Sequence, residues 1–295
     1  MAFVSQKKST STAANRVKQI VSLPRFLSIL RLRYRALLYG GLKFGVTFYI
    51  VVVALMYFVQ DYALFRVPIY EPKRELPAGA LEQDIKTPDG HVLKVFDFRH
   101  EEPAPYVIFF HGNAASSGHE LPRAEFMYKR GFNVLLAEYR GYGGSSGSPS
   151  VQNILDDALV QFDWLKKQGA DKVYVAGHSL GTGPAIYLAA NRDVAAVALE
   201  APYSQLVKAA ADRYPLLPVH TLFRNHLNPA EFIKEVEEPL LIMHGSDDRT
   251  ISIDLGRELY AASNKTGPFI EMLEASHHLR GYGSIPKTLE FFEQN

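Results

Sequence analysis

From residue 81 onward, short apolar runs alternate with longer stretches in which apolar residues recur every three or four positions. The runs at 106–110, 133–138, 172–176, 196–200, 240–244 and 269–273 are nearly continuous in apolar, β-branched and aromatic residues, as strands buried on both faces are. Between them, 119–130, 151–168, 182–190, 253–262 and 285–293 have helical periodicity. Residues 83–86 and 92–98 flank Thr87-Pro88-Asp89-Gly90, whose turn chemistry predicts a hairpin. Regular strand–helix alternation predicts an α/β domain: a mostly parallel, doubly wound sheet with helices on both faces. Residues 201–238 interrupt the alternation and read as an irregular excursion, too short for more than a small cap. No internal repeat or low-complexity tract is present.

The N-terminal pattern is different. Residues 44–59 contain no charge. As a helix they reach about 24 Å at ~1.5 Å per residue, somewhat less than the ~30 Å hydrocarbon layer of a bilayer. Residues 36–42 lengthen the helix, with Lys43 snorkelling to a headgroup and Tyr39, Tyr49, Tyr57 and Tyr62 offering interface anchors. The expected division is a basic arm over 1–35, one transmembrane helix over 36–60, a Pro-rich tether over 61–80 and a globular domain over 81–295. A cleaved signal peptide fits poorly, because about 43 residues precede the apolar run and no A-x-A site follows it. A buried core helix would not carry so basic a flank.

Charge orients this plan. The net charge of +1 conceals nine Lys/Arg and no Asp/Glu in residues 1–60, against 23 Lys/Arg and 31 Asp/Glu in the rest. A basic arm on an acidic body suits anionic lipid, not nucleic acid. The positive flank predicts a cytoplasmic N-terminus, with the globular domain on the far side, lumenal (endoplasmic reticulum) or periplasmic. Composition, 47% hydrophobic and 21% charged, is that of a globular protein. Cysteine is absent, which excludes disulfides, thiolate catalysis and Cys-ligated zinc.

The candidate chemistry lies at the carboxyl ends of the strands, where open α/β sheets bind ligands. Gly177-His178-Ser179-Leu180-Gly181 is a G-x-S-x-G box between a strand and a helix. That context holds Ser179 on a sharp turn, with the Leu180 N–H at a helix start suited to an oxyanion. A serine nucleophile needs a base, and the base needs an acid to orient it. Gly245-Ser246-Asp247-Asp248 follows the 240–244 strand and offers Asp248 or Asp247 as the acid; Asp248 falls at the acid position of an H-G-x-x-D-x-x-[VI] pattern. Ser276-His277-His278 follows the 269–273 strand and offers His277 or His278 as the base. His111-Gly112-Asn113-Ala114 follows the 106–110 strand and offers the Asn113 N–H as a second oxyanion donor. His111 and His244, each before a Gly at a strand end, read as loop supports. The glycine-rich 141–147 segment lacks the Lys and spacing of a phosphate loop. No metal-binding spacing such as H-E-x-x-H occurs, and no cofactor is expected.

H-G-N-A at 111–114, E-Y-R-G-Y-G-G-S-S-G-S-P-S at 138–150, G-H-S-L-G-T-G at 177–183, E-A-P-Y-S at 200–204, P-L-L-I-M-H-G-S-D-D at 239–248 and S-H-H-L-R-G-Y at 276–282 together resemble the α/β-hydrolase superfamily. Within it, the chain is similar to the membrane-anchored lysophospholipase and monoacylglycerol lipase branch, including the lysophosphatidylserine lipase type. The resemblance implies an α/β-hydrolase fold, a Ser179–Asp248–His277 triad and an oxyanion hole from Asn113 and Leu180. The spacing His277-x-x-x-Gly281-Tyr282 is similar to that type and favours His277 as the base. The chain departs from many relatives in having His278, not Asn or Asp, after that histidine. The implied function is hydrolysis of lipid acyl esters such as monoacylglycerols or lysophospholipids. The rivals are an acyl-protein thioesterase, a peptidase, and a catalytically silent membrane-tethered binding module. Asn264-Lys265-Thr266 is a glycosylation sequon, lumenal if the chain is eukaryotic.

Overall fold

The computed structural model describes residues 22–68 and 76–295. Lys7, Lys8, Arg16 and Lys18 of the basic arm, and residues 69–75 of the tether, lie outside the described residues. The chain divides into two compact units, Met1–Met56 and Tyr57–Asn295.

The first unit is dominated by α1 (Ser22–Leu64), a 43-residue helix that ends inside the second unit. It is longer at both ends than the 36–60 stretch, because good helix formers continue through the arginine-bearing 26–35 segment and no proline interrupts. Phe26–Leu64 is long and apolar enough to cross a membrane, and none of its most apolar window is buried against protein.

The second unit is built on an eight-stranded sheet of order β1-β2-β4-β3-β5-β6-β7-β8. Its strands are β1 (Ala80–Lys86), β2 (Val92–Phe98), β3 (Tyr106–Phe110), β4 (Asn133–Ala137), β5 (Val173–His178), β6 (Val197–Glu200), β7 (Leu240–Gly245) and β8 (Phe269–Met272). The β1–β2 hairpin and the β2–β4 pair are antiparallel; all later pairs are parallel. The hairpin turns through Gly90, at φ +90°, whose N–H donates to the Thr87 carbonyl.

Side-chain alternation divides the interior into two cores. Ile108, Phe110, Leu135, Val175, Leu199 and Ile242 face α3 (Val151–Lys167), α4 (Thr182–Ala189) and α8 (Ile253–Ala262). Val107, Phe109, Val134, Tyr174, Ala198 and Met243 face α2 (Leu121–Tyr128) and α9 (Ser284–Glu293). The sheet is therefore doubly wound. α3 begins at a Ser150 cap, whose Oγ accepts from the Asn153 N–H, and ends with Lys166 and Lys167 against the negative end of the helix dipole. Residues 201–238 are more ordered than their irregular pattern indicated. They contain α5 (Leu206–Arg213), α6 (Val219–Leu222) and α7 (Pro229–Phe232), each of at most eight residues.

Strands β3, β4 and β5 end level, with Phe110 paired to Ala137 on one side and to Gly177 on the other. His178 lies beside Glu200, and Glu200 beside Met243. The loops that carry the candidate residues thus leave one edge of the sheet together.

Candidate functional site

Ser179 sits where β5 turns through a single 3-10 turn (Ser179–Gly181) into α4. Its φ is +54°, a left-handed conformation that costs a non-glycine residue of order 1–3 kcal/mol and persists only where the surroundings enforce it. Here close packing enforces it. A Cβ on Gly181 would stand 2.2 Å from the Phe110 carbonyl oxygen, and one on Gly177 would stand 2.5 Å from the Gly181 oxygen. The Thr182 hydroxyl donates to the Ser179 carbonyl at 2.7 Å, and the Tyr203 hydroxyl donates to that of Leu180 at 3.3 Å.

Ser179, His277 and Asp248 come together although 69 and 29 or more positions separate them in the chain. His277 Nε2 is 2.9 Å from Ser179 Oγ, and His277 Nδ1 is 2.7 Å from Asp248 Oδ2. Asp248 Oδ1 accepts from the backbone N–H of Thr250 at 2.8 Å and of Ile251 at 3.0 Å. His244 Nε2, wholly buried, donates to the Ile251 carbonyl at 3.0 Å and lies 3.3 Å from Asp248 Oδ2. Burial opposes the Asp248 charge, but the hydrogen bonds from His244 and His277 outweigh it and hold the carboxyl well below its usual range. Asp247 is exposed, its N–H donating to the Ala275 carbonyl. The His278 ring lies 5.5 Å from those of His178 and His277, tilted against the first and edge-on to the second.

The 111–114 loop is fixed from beneath. His111 Nε2 donates to Glu138 Oε1 at 2.7 Å, and Nδ1 donates to the Gly112 carbonyl at 2.8 Å. Burial alone would lower the His111 pKa; the Glu138 carboxylate against it prevails and raises it. Both ring nitrogens face acceptors, so the ring is a charged donor to both. Glu138 also accepts from the N–H and hydroxyl of Ser117 and from the Tyr139 N–H. Asn113, at the tip, uses its side chain structurally: Oδ1 accepts from the Tyr142 hydroxyl at 3.1 Å and from the Arg66 N–H at 2.9 Å. Leu180 is buried, one residue past Ser179.

Two features of the site were not read from the sequence. The first is a buried ion network. Arg123 binds Glu200 through two bonds of 2.7 and 2.9 Å and Glu120 at 3.0 Å, while Arg280, three positions after His277, binds Glu120 at 2.9 Å. Burial disfavours both carboxylates, yet Arg123 holds them ionised with lowered pKa values. The second is His178, which donates Nε2–H to the His277 carbonyl at 3.0 Å. Its pKa is pushed down to about 4, chiefly by burial and then by the His277 charge, so it is neutral. Charged residues inside apolar runs, such as Arg123 and Glu200, were the available signal, but nothing in the chain pairs them across 77 positions.

Beside the Asp248 loop lies a cleft of about 420 Å³ lined by Asp212, Arg213, Asp248, Arg249, Thr250 and Ser252. One imidazole ring separates Asp248, in its wall, from Ser179. Among the described residues, no cluster of three or more His, Asp or Glu is placed to hold a metal ion.

A family model described as the alpha/beta hydrolase fold matches residues 105–222. An uncharacterized Mycobacterium tuberculosis protein is 32% identical over 216 residues, covering 72% of this chain and 76% of that protein. The lysophosphatidylserine lipase ABHD12 of Rattus norvegicus is 34% identical over 178 residues, 53% of this chain and 44% of its own length. The match thus spans less than half of that lipase. Among solved structures, the Pyrococcus furiosus esterase Pf2001 aligns with a TM-score of 0.66 at 22% identity, over 77% of this chain and 97% of the esterase. The Paleococcus ferrophilus monoacylglycerol lipase aligns with a TM-score of 0.52 at 18% identity, over 68% of this chain and 98% of the lipase.

Proposed function

Because this chain belongs to the α/β-hydrolase family and is a serine hydrolase, we propose that it cleaves the acyl ester of a membrane lipid through Ser179, His277 and Asp248. The observation that carries the reading is the hydrogen-bonded series Asp248–His277–Ser179, at 2.7 and 2.9 Å, ending on a serine held at positive φ.

Ser179 Oγ attacks the ester carbonyl as its proton passes to His277 Nε2. The carbonyl oxygen becomes an oxyanion, accepted by the N–H groups of Asn113 and Leu180. On collapse the ester C–O bond breaks, and His277 returns the proton to the leaving alcohol. Water, deprotonated by His277, then attacks the acyl-enzyme, releasing the fatty acid and restoring the Ser179 hydroxyl. Asp248 stays ionised throughout, fixes the His277 tautomer with Nδ1–H, and stabilises the imidazolium. The four donors around Asp248 suit that role, since they oppose its protonation.

Three observations support a lipid substrate. The apolar α1 helix suits a membrane anchor, which would keep the site near its substrate. The cap carries the exposed Leu216 and the half-buried Leu217 and Leu222, a surface compatible with an acyl chain. The cleft beside the Asp248 loop carries Arg213 and Arg249 together with Asp212, and its two guanidinium groups suit a phosphate on the substrate. Named relatives include lysophosphatidylserine lipases. We place the N-terminus in the cytoplasm and the hydrolase domain on the opposite side, from the basic flank of the span.

The test is fatty-acid release by the full-length membrane protein from a lysophospholipid, a monoacylglycerol and a palmitoyl-thioester peptide. Turnover of the lipid esters that Ser179→Ala abolishes is the expected result. Turnover of the thioester alone would replace this reading with depalmitoylation.

A further inference from the structure

A helix that serves only as a membrane anchor requires no contact with the domain it carries. The last two turns of α1, from Tyr57 onward, belong instead to the hydrolase unit and are bonded to it in two places.

The first place is the cap. Gln60 is buried; its amide Nε2 donates to the Leu222 carbonyl at 3.2 Å and its Oε1 accepts from the Arg224 N–H at 2.8 Å. Asp61 accepts from Arg224 Nη2 at 3.0 Å and from Asn225 Nδ2 at 2.7 Å. The Arg224 guanidinium stands 4.9 Å over the Tyr57 ring. The second place is the 111–114 loop. Asn113 Nδ2 donates to the Leu64 carbonyl, and Asn113 Oδ1 accepts from the Arg66 N–H at 2.9 Å. The final carbonyls of a helix have no partners within it. Asn113 satisfies one of them, and in return the helix end fixes the Asn113 side chain. Within the second attachment, between Leu64 and Arg66, Phe65 is buried in the main core.

We infer that the foot of the membrane helix is a positioning element of the active site: Gln60 and Asp61 hold the cap at 222–225, and Leu64 and Arg66 hold Asn113. The inference rests on the proposed role of Asn113 as an oxyanion donor. Its backbone N–H and its side chain share one residue, so anchoring the side chain restrains the backbone that carries that N–H. None of these foot residues touches substrate; they act through Asn113 and the cap.

The test uses the full-length protein in detergent micelles and a soluble short-chain ester, so that access to a bilayer does not enter. Wild type, Asp61→Ala, Arg224→Ala, the exchanged pair Asp61→Arg/Arg224→Asp, and Asn113→Ala are compared, with Tyr62→Ala as control. Tyr62 lies in the same turn and is 81% exposed. The expected result is a kcat lowered at least fivefold in Asp61→Ala and Arg224→Ala and at least 30-fold in Asn113→Ala. KM should stay within about threefold of wild type, Tyr62→Ala should be unchanged, and the exchanged pair should recover at least half of the loss. If Asp61→Ala does not fold, Gln60→Glu is read in the same way: it keeps the acceptor for Arg224 and loses the donor to Leu222. Folded Asp61→Ala or Gln60→Glu with wild-type kcat would overturn the inference and leave the helix a passive tether. A folded wild type that hydrolyses no ester and takes no fluorophosphonate would overturn the functional reading first, and this inference with it.

Discussion

At the residue scale, the site depends on which of several histidines carries charge. His111, facing the Glu138 carboxylate, has its pKa raised, whereas His178, buried beside another histidine, is pushed down to about 4. The two carry opposite pH signatures. A base whose folded pKa lies below its unfolded value binds fewer protons when folded, so stability falls as pH drops. His178 therefore contributes fully above its unfolded pKa of 6.5, and its contribution is lost as pH falls from 6.5 toward 4. The gap corresponds to roughly 3 kcal/mol. His178→Gln retains an N–H in reach of the His277 carbonyl but cannot titrate. Its stability in urea should vary less between pH 6.5 and 4 than that of wild type, and equal slopes would contradict the assignment. Ser179, Asp248 and His277 could be named as candidates from local motifs because each motif stands at a strand end. Asp248 was separable from Asp247 in the sequence by pattern position alone; in the structure the two differ by burial and by donors.

At the scale of elements, the sheet was the most legible part. Runs such as Y-V-I-F-F at β3 are apolar on both faces because both faces are covered, and such runs have few other uses in a soluble domain. The cap was not legible. α5, α6 and α7 are each eight residues or fewer, too short for periodicity to stand out, and they form because neighbouring elements pack on them. The cleft between the end of α5 and the Asp248 loop was hidden for the same reason, since Arg213 and Arg249 come from separate elements. If these arginines receive a phosphate on the leaving alcohol, each charge-assisted contact contributes about 1.5–3 kcal/mol. Arg213→Gln and Arg249→Gln should then lower kcat/KM for a lysophospholipid about 10- to 100-fold each and leave the monoacylglycerol of the same chain length within about twofold. Equal losses on both lipids would contradict a headgroup role.

At the scale of the whole molecule, the sequence separated a basic, apolar N-terminal part from an acidic α/β domain, and the structure has a helix whose most apolar window is unburied and a doubly wound sheet. It also placed a tether from residue 61, where the helix in fact continues to Leu64 and bonds to the cap. That continuation was invisible because the partners of Gln60 and Asp61 lie more than 160 positions away. The eight cations before residue 36 predict that protease added to the outside of intact, cytoplasm-sealed membranes or spheroplasts reaches a C-terminal tag and not an N-terminal one. The reverse pattern would invert the proposed topology. The central claim, an activated Ser179 in an assembled acyl-transfer site, is tested most directly by fluorophosphonate labelling of membranes carrying wild type or Ser179→Ala. The account predicts labelling of the wild type at Ser179 and none of the variant; a folded wild type that takes no label, or a variant that labels equally, would contradict it.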